Sequence, residues 1–473
     1  MSDDADAGGE DPFDRVVAGV RERVLPDDAE RAEMERAATE VVERAEAAVA
    51  DLDVEADVVR VGSTARGTWL SGDRDLDVFV RFPPDIERAE LERYGLEVGH
   101  TVLPDGHEEY AEHPYVKGEV DGFDVDLVPC YRLDDATAIR SAVDRTPFHT
   151  QYLRERLDGA LAAEVVVAKA FLKGIGAYGS DLRTKGFSGY LTELLVLEYG
   201  GFRALCEAAA DEWHPPVELD PSCHGRASFD DPLVVIDPTD PERNVAAVCS
   251  AEAVGRLIHY ARDLLADPRA APFEPRDLEP LDAAAVRDAV ADRGTHPVAI
   301  RFRAPDVVDD QLYPQLDRSL AGLRDELERR GFEPVRADRF AQDAATSDAA
   351  GEGDGEPVAA LLVECAVAEL PAVERHGGPP VAVRQHAEGF YGKYADDETV
   401  YGPFLDGDRY VVERPRDVRT PAGLAETELF DCSLGPHVES SLEDGYDVLA
   451  GAAVAELAEP FGAELAAYFD PVP

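Results

Sequence analysis

Two aspartates, two positions apart on an otherwise apolar run, most constrain what this chain can fold into. Asp75 and Asp77 alternate with Leu76 and Val78, and Phe79-Val80 follows. Strand side chains repeat every two residues, so both carboxylates share a face about 7 Å apart along the backbone. Hard carboxylate oxygens so arranged suit Mg²⁺, which takes one or two carboxylates and completes its shell with water and substrate phosphate. The preceding run, from Val59 to Arg74, reads as a strand, a glycine turn into a short helix, and a second turn. At Gly62-Ser63 a strand passes into a helix, where free backbone N–H groups and the positive helix end favour a phosphate. Taken alone, an Asp-x-Asp strand is also compatible with a solvated sheet edge.

A Gly-Ser turn followed by Asp-x-Asp resembles the active-site signature of the polymerase-β-like nucleotidyltransferases. The longer string Gly-Ser-Thr-Ala-Arg-Gly-Thr-Trp-Leu from Gly62, with Gly72, Asp73, Asp75, Asp77, Val78 and Phe79 after it, is similar to one branch, the archaeal (class I) CCA-adding tRNA nucleotidyltransferases. The resemblance implies an α+β, multidomain fold. A polymerase-β-like palm forms the head (1–145), a helical neck follows (146–270), and an α+β body and tail (271–473) grip the tRNA acceptor arm. The implied reaction adds C, C and A to the tRNA 3′ end from CTP and ATP and releases pyrophosphate. A homodimer is also implied.

Further along, Tyr115 to Cys130 reads as a hairpin turning at Asp121-Gly122. Its second strand puts Asp124 and Asp126 on one face and Phe123, Val125 and Leu127 on the other. A third carboxylate is what a two-metal site needs, and the pattern leaves Asp124 and Asp126 equivalent. Resemblance to the family's V-D-x-V-P stretch selects Asp126. The same resemblance makes Asp75, Asp77 and Asp126 the Mg²⁺ ligands, and Ser63, Arg66, His149, Lys169, Tyr178 and Arg243 the nucleotide contacts. The first metal carboxylate, often glutamate in relatives, is Asp75 here.

Each of these residues has an ordinary reading beside the functional one. His149, in Thr146-Pro147-Phe148-His149-Thr150, lies where a helix is capped. Gly174-Ile175-Gly176-Ala177-Tyr178-Gly179 fits G-x-G-x-x-G but follows a helical run, so it reads as a helix-ending turn. Lys169 is a compact cation for a phosphate, with Lys173 one turn later as the alternative. Arg243 follows strand 234–236 and a Pro/Asp turn, where it equally begins a helix that continues from Ala246 to Leu265. Residues 13–50 read as helical, Ile86–Tyr94 as a further helix, Gly186–Leu195 as a core helix, and 267–281 as a linker.

Beyond the linker, strand 298–303, a helix striped with Leu312, Leu316, Leu320, Leu323 and Leu327, a strand from Phe332, and strand 358–367 suggest a split βαβ layout. Residues 344–356 read as an acidic solvated loop. The stretches 401–404 and 409–416 mix aromatic and arginine side chains, which suits RNA and equally an ordinary hairpin. Gly445 to Phe469 reads as an Ala-rich amphipathic helix.

Composition narrows the function classes. With 46 basic and 99 acidic residues the net charge is −53, tolerable where salt screens self-repulsion. Only five of the basic residues are lysine, leaving 41 arginines, a pattern similar to haloarchaeal cytoplasmic proteins. Such acidity argues against general RNA affinity, unless positive groups concentrate locally, and four of the five lysines fall between Lys117 and Lys185. Six scattered cysteines without a Cys-x-x-Cys pair argue for a reducing compartment and against a zinc site. The acidic start carries no signal peptide, and no apolar run reaches membrane-spanning length. The rival readings are another enzyme of this superfamily, such as a poly(A) polymerase, and a catalytically inactive tRNA-binding protein.

Overall fold

In the computed structural model, which describes residues 11–110, 112–342 and 356–473, the chain separates into two units. One ends at Arg276 and the other runs from Asp277 to Val472.

The first unit opens with α1 (Pro12–Val24) and α2 (Asp28–Ala50). The single helical stretch expected over 13–50 is thus two helices, because Pro26 cannot continue the first. Asp27 then starts the second with a full capping box, accepting from Ala29 and Glu30 N–H while Glu30 reaches back to the Asp27 N–H. β1 (Asp57–Arg60), α3 (Gly62–Arg66), β2 (Asp75–Phe82), α4 (Arg88–Val102), β3 (His107–Tyr110), β4 (Pro114–Val120) and β5 (Phe123–Tyr131) complete an α+β layer. Its sheet runs β1-β2-β5-β4-β3, with β2 and β5 parallel and the other pairs antiparallel. Asp121 and Gly122, both at positive φ, make the β4–β5 turn.

The alternation in β2 decides which face is buried. Leu76, Val78, Val80 and Phe82 join Val125 and Leu127 under Met34 and Val41 of α2 and Leu91 and Val98 of α4. Asp75 and Asp77 therefore face away from that helical cover, on the side that stays accessible.

The rest of the unit is mostly helical: α5 (Thr146–Arg154), α6 (Gly159–Gly174), α7 (Gly189–Tyr199), α8 (Phe202–Asp211) and α9 (Ala251–Ala266). Phe171, Phe202, Leu194, Leu257 and Phe273 share its core. Thr146 is the first residue of α5 and not its cap. Pro147 occupies the first turn, where no N–H is needed, and Arg145 stands before it without a side-chain cap. α6 ends before Gly176, whose positive φ confirms a helix-ending turn at the glycine-rich run.

One expectation is corrected here. The segment after Val234 does not turn into a helix: β7 (Leu233–Asp237) pairs antiparallel with β8 (Asp240–Asn244), so Arg243 sits on a strand. The helix expected from Ala246 begins only at Ala251, capped by Ser250. Asn244 explains the hairpin, since its side chain accepts from Val235 N–H and donates to the Leu233 carbonyl.

In the second unit, β9 (His296–Arg303), α11 (Asp309–Arg330), β10 (Pro334–Ala341) and β11 (Val358–Cys365) follow α10 (Ala283–Arg293). β11 lies between β9 and β10, antiparallel to both, so those two are parallel and joined by α11, the split βαβ arrangement. The leucines expected on the helical stripe pack into the core beneath it. Most of the acidic loop, 343–355, lies outside the described residues. A second sheet, β12-β14-β13, contains the hairpin Tyr401–Asp406 with Arg409–Pro415. The expected C-terminal helix is corrected as well. Residues 446–450 form β15 on the edge of β9, a 3₁₀ turn covers 451–457, and only Ala458–Phe469 is helical.

Candidate active site

The site starts from the register of two parallel strands. Asp75 stands opposite Asp124 and Asp77 opposite Asp126, so three acidic residues of the same face meet at one end of β2 and β5. Asp75 and Asp124 are exposed, and Asp77 and Asp126 half-buried. Burial raises the Asp77 pKa to about 6, with the neighbouring negative charges of Asp126 and Asp75 adding to it and Arg66 opposing. Burial raises Asp126 too, against the pull of Lys117. Asp126 Oδ1 is buried and no hydrogen-bond donor reaches it; Lys117 Nζ, at 3.7 Å, is within ion-pair range only. Like charges held this close, with one oxygen unpartnered, fit a cation. Among the described residues no three or more His, Cys, Asp or Glu side chains form a ready-made cage. An open carboxylate edge completed by water and phosphate is the arrangement that magnesium chemistry favours.

Gly62 makes this crowding possible. Its φ is +74°, and a Cβ there would lie 1.9 Å from Asp77 Oδ2, so no other residue fits without moving the carboxylate. Val61 N–H also donates to the Asp77 carbonyl. Ser63 therefore begins α3 directly beside the carboxylates, and its own carbonyl accepts from Thr68 N–H. α3 is only five residues long, so its pull on a phosphate comes from local N–H groups more than from a summed dipole.

The remaining candidates gather around two buried acids that sequence reading missed. Glu193 of α7 is fully buried. Arg66 binds it from Nε and Nη2, at 3.1 and 2.9 Å, and donates from Nη1 to Thr150. Thr68 donates to the same carboxylate. Lys169 Nζ lies 3.5 Å from Glu193 Oε1 and donates to the Thr68 carbonyl at 2.9 Å. Burial works against the Glu193 charge, but Lys169 and Arg66 overcome it and hold its pKa below the usual range. Burial lowers the Lys169 pKa. Arg66 and Lys169 thus brace the loop that carries Ser63, and neither side chain is open to solvent. Lys173, one turn beyond Lys169, is half-exposed and pairs with Asp73 at 3.3 Å. Tyr178 lies under its ammonium, 5.6 Å from nitrogen to ring centre.

The second acid is Asp237, at the end of β7 and fully buried. His149 Nε2 and Arg243 Nη1 both lie against its Oδ2, at 2.9 and 2.8 Å. Tyr190 OH and Thr239, through N–H and Oγ1, donate to Oδ1. The His149 ring stacks on Tyr190 at 3.8 Å. Despite burial, these donors hold the Asp237 carboxyl well below the usual range, so it is ionised. Burial lowers the His149 pKa even though Asp237 works the other way. Arg66 acts electrostatically on both His149 and Asp77, and its bond to Thr150 places the two clusters side by side. The fold therefore brings together all nine sequence-derived candidates, with Arg66 and Lys169 inside and Asp75 and Arg243 toward solvent. Neither Glu193 nor Asp237 carries a local signal, because each meets its partners across the tertiary fold.

Comparison with known proteins covers most of the chain. Residues 42–149 match the family described as nucleotidyltransferase domain, 163–274 the tRNA nucleotidyltransferase second domain, and 293–451 the CCA-adding enzyme C-terminal domain. A CCA-adding enzyme of Haloarcula marismortui is 64% identical over 98% of this chain and 100% of its own length. One of Halorubrum lacusprofundi is 59% identical over 98% and 100%. A third, of Methanosarcina acetivorans, is 40% identical over 95% and 96%.

Proposed function

The chain belongs to the CCA-adding enzymes, the tRNA nucleotidyltransferases, and from that premise we propose that Asp75, Asp77 and Asp126 form its catalytic centre. The protein is an enzyme that adds the CCA end to tRNA by nucleotidyl transfer. In our reading CTP and ATP are the nucleotide substrates. The 3′ oxygen of the tRNA forms a bond to the α-phosphorus, its proton passes to a site carboxylate, and the bond to the departing pyrophosphate breaks.

The observation that carries this reading is the pairing of Asp77 with Asp126 beneath Gly62, an acidic edge with an unpartnered oxygen. Enzymes of this class use divalent metal ions, and Mg²⁺ is the ion we assign to Asp75, Asp77 and Asp126. When bound it would neutralise charge on the phosphates and lower the pKa of the attacking hydroxyl. Ser63, Arg66, His149, Lys169, Tyr178 and Arg243 bind or frame the nucleotide. Arg66 and Lys169 do so by fixing the Ser63 loop through Glu193 and Thr68, and His149 and Arg243 by facing the nucleotide from Asp237. We further assign a head to 1–145, a neck to 146–270, and a body and tail that grip the acceptor arm to 271–473. A cytoplasmic homodimer completes the proposal. No helix among the described residues is long and apolar enough to cross a membrane.

A tRNA transcript lacking its CCA end, in high KCl with Mg²⁺, tests the reading at single-nucleotide resolution. Two additions with CTP alone, and a third only when ATP is present, are expected. Unlimited A addition would instead indicate a poly(A)-type polymerase.

A further inference from the structure

The two nucleotide-side groups with the least buried positions, His149 and Arg243, share a single oxygen of a carboxylate that has no exposure of its own. A buried ionised carboxylate can only accept hydrogen bonds, so His149 must direct an Nε2 hydrogen at it and Arg243 an Nη1 hydrogen. Three more donors lock the carboxylate in turn: Tyr190 OH at 3.3 Å, Thr239 N–H at 2.9 Å and Thr239 Oγ1 at 2.8 Å, all on Oδ1. The carboxylate cannot rotate without breaking bonds on both oxygens. The Tyr190 ring, stacked on His149 at 3.8 Å with 10° between planes, fixes the remaining freedom of the imidazole. About a third of the Arg243 side chain stays exposed. Its Nε and Nη2 have no recorded partner among the described residues, and they form the forked edge on which a guanidinium presents two parallel donors.

A fixed pair of donors sorts the four bases in a simple way. Cytosine and adenine carry an acceptor ring nitrogen on the pairing edge, N3 and N1 respectively. Uracil and guanine carry an N–H at the corresponding place. A donor fork held still welcomes the first pair and leaves two donors opposed for the second, which is a strong form of rejection. A mobile guanidinium would turn away from the clash and lose the distinction.

We infer that Asp237 is the positioning residue for nucleobase selection, holding Arg243 so that its Nε–Nη2 edge is the donor face left for the base. This rests on the nucleotide-binding reading of the site given above. Asp237 itself touches no substrate; it acts through Arg243, with His149 and Tyr190 completing the frame.

The experiment compares kcat/KM for CTP and UTP on a tRNA transcript lacking CCA, using wild type, Asp237→Asn, Arg243→Ala and the double variant in high KCl with Mg²⁺. Asn keeps the shape but turns one acceptor into a donor, so the CTP preference should fall about tenfold or more. In the Arg243→Ala background the same substitution should change the preference no further. A merely structural residue would lower both nucleotides alike and add to the Arg243 effect. An unchanged preference in folded Asp237→Asn, or a full additional loss in the double variant, would overturn the inference. Should Asp237→Asn fail to fold, Thr239→Ala, which removes one donor from Oδ1, should lower the same preference about twofold. A folded Thr239→Ala with unaltered selection would then count against the inference. Wild-type addition of C, C and A is the control: its absence overturns the proposed function, whereas its presence with unaltered selection overturns this inference alone.

Discussion

Asp77 carries a cost that its function explains. Burial and the charges of Asp126 and Asp75 raise its pKa to about 6 from 3.8, so the folded, metal-free site favours the protonated form. The stability this contributes is complete below 3.8 and is lost as pH rises through 6. By the difference between those values the loss is at most about 3 kcal/mol. Asp77→Asn removes the charge but keeps the shape against Gly62. In chelator and high KCl, denaturant titration should find the variant roughly 2–3 kcal/mol more stable than wild type at pH 7.5. The difference should disappear at pH 4, while nucleotide addition is lost at every pH. Equal stability at pH 7.5 would mean that the carboxylates do not repel one another as the geometry requires. Gly62 and Asp77 were both legible in the sequence, but their mutual fit was not: a 1.9 Å approach is a property of the fold.

At the scale of elements, Glu193 joins α3, α5, α6 and α7 through Arg66, Thr68, Thr150 and Lys169. Removing one partner from a buried ion cluster is expensive because the remaining charges cannot reach water. Glu193→Gln should therefore destabilise the first unit by about 3–5 kcal/mol. Adding Arg66→Met and Lys169→Met to it should recover much of that stability but not activity. Additive losses across the three, measured by denaturation, would contradict the linked cluster. The elements with a strong period were readable: the alternation of β2 and β5, the Asp121-Gly122 hairpin, and the leucine stripe of α11. β8 was not, since Asp240-Pro241-Glu242-Arg243-Asn244 has no alternation. Its strand exists because Asn244 hydrogen-bonds across to β7. β15 was hidden in an Ala-rich stretch, because pairing with a strand some 150 residues earlier leaves no local trace. The carboxylate strands announced the chemistry, and the residues that orient Arg66, Lys169, His149 and Arg243 emerged only from tertiary contacts.

For the whole molecule, the net charge of −53 sets the conditions under which everything else operates. The Debye length is about 10 Å at 0.1 M salt and about 3 Å at 1 M, so only concentrated salt separates the acidic surface from itself. Thermal melts should show Tm rising by roughly 10 °C or more between 0.2 and 3 M KCl; a flat or falling Tm would contradict self-repulsion as the limiting term. The acidity looked at odds with an RNA substrate, and the site resolves this by keeping Arg66, Lys169 and Arg243 within the two clusters around Glu193 and Asp237. The central claim is that one face of β2 and β5 carries the chemistry, with Asp126 and not its neighbour Asp124 completing it. Single-turnover addition of CMP to tRNA lacking CCA, at 3 M KCl with Mg²⁺, separates the two directly. Asp126→Asn should lower the rate by about a thousandfold or more, and Asp124→Asn should stay within about threefold of wild type. Comparable losses for both, or loss with Asp124→Asn alone, would contradict the assignment.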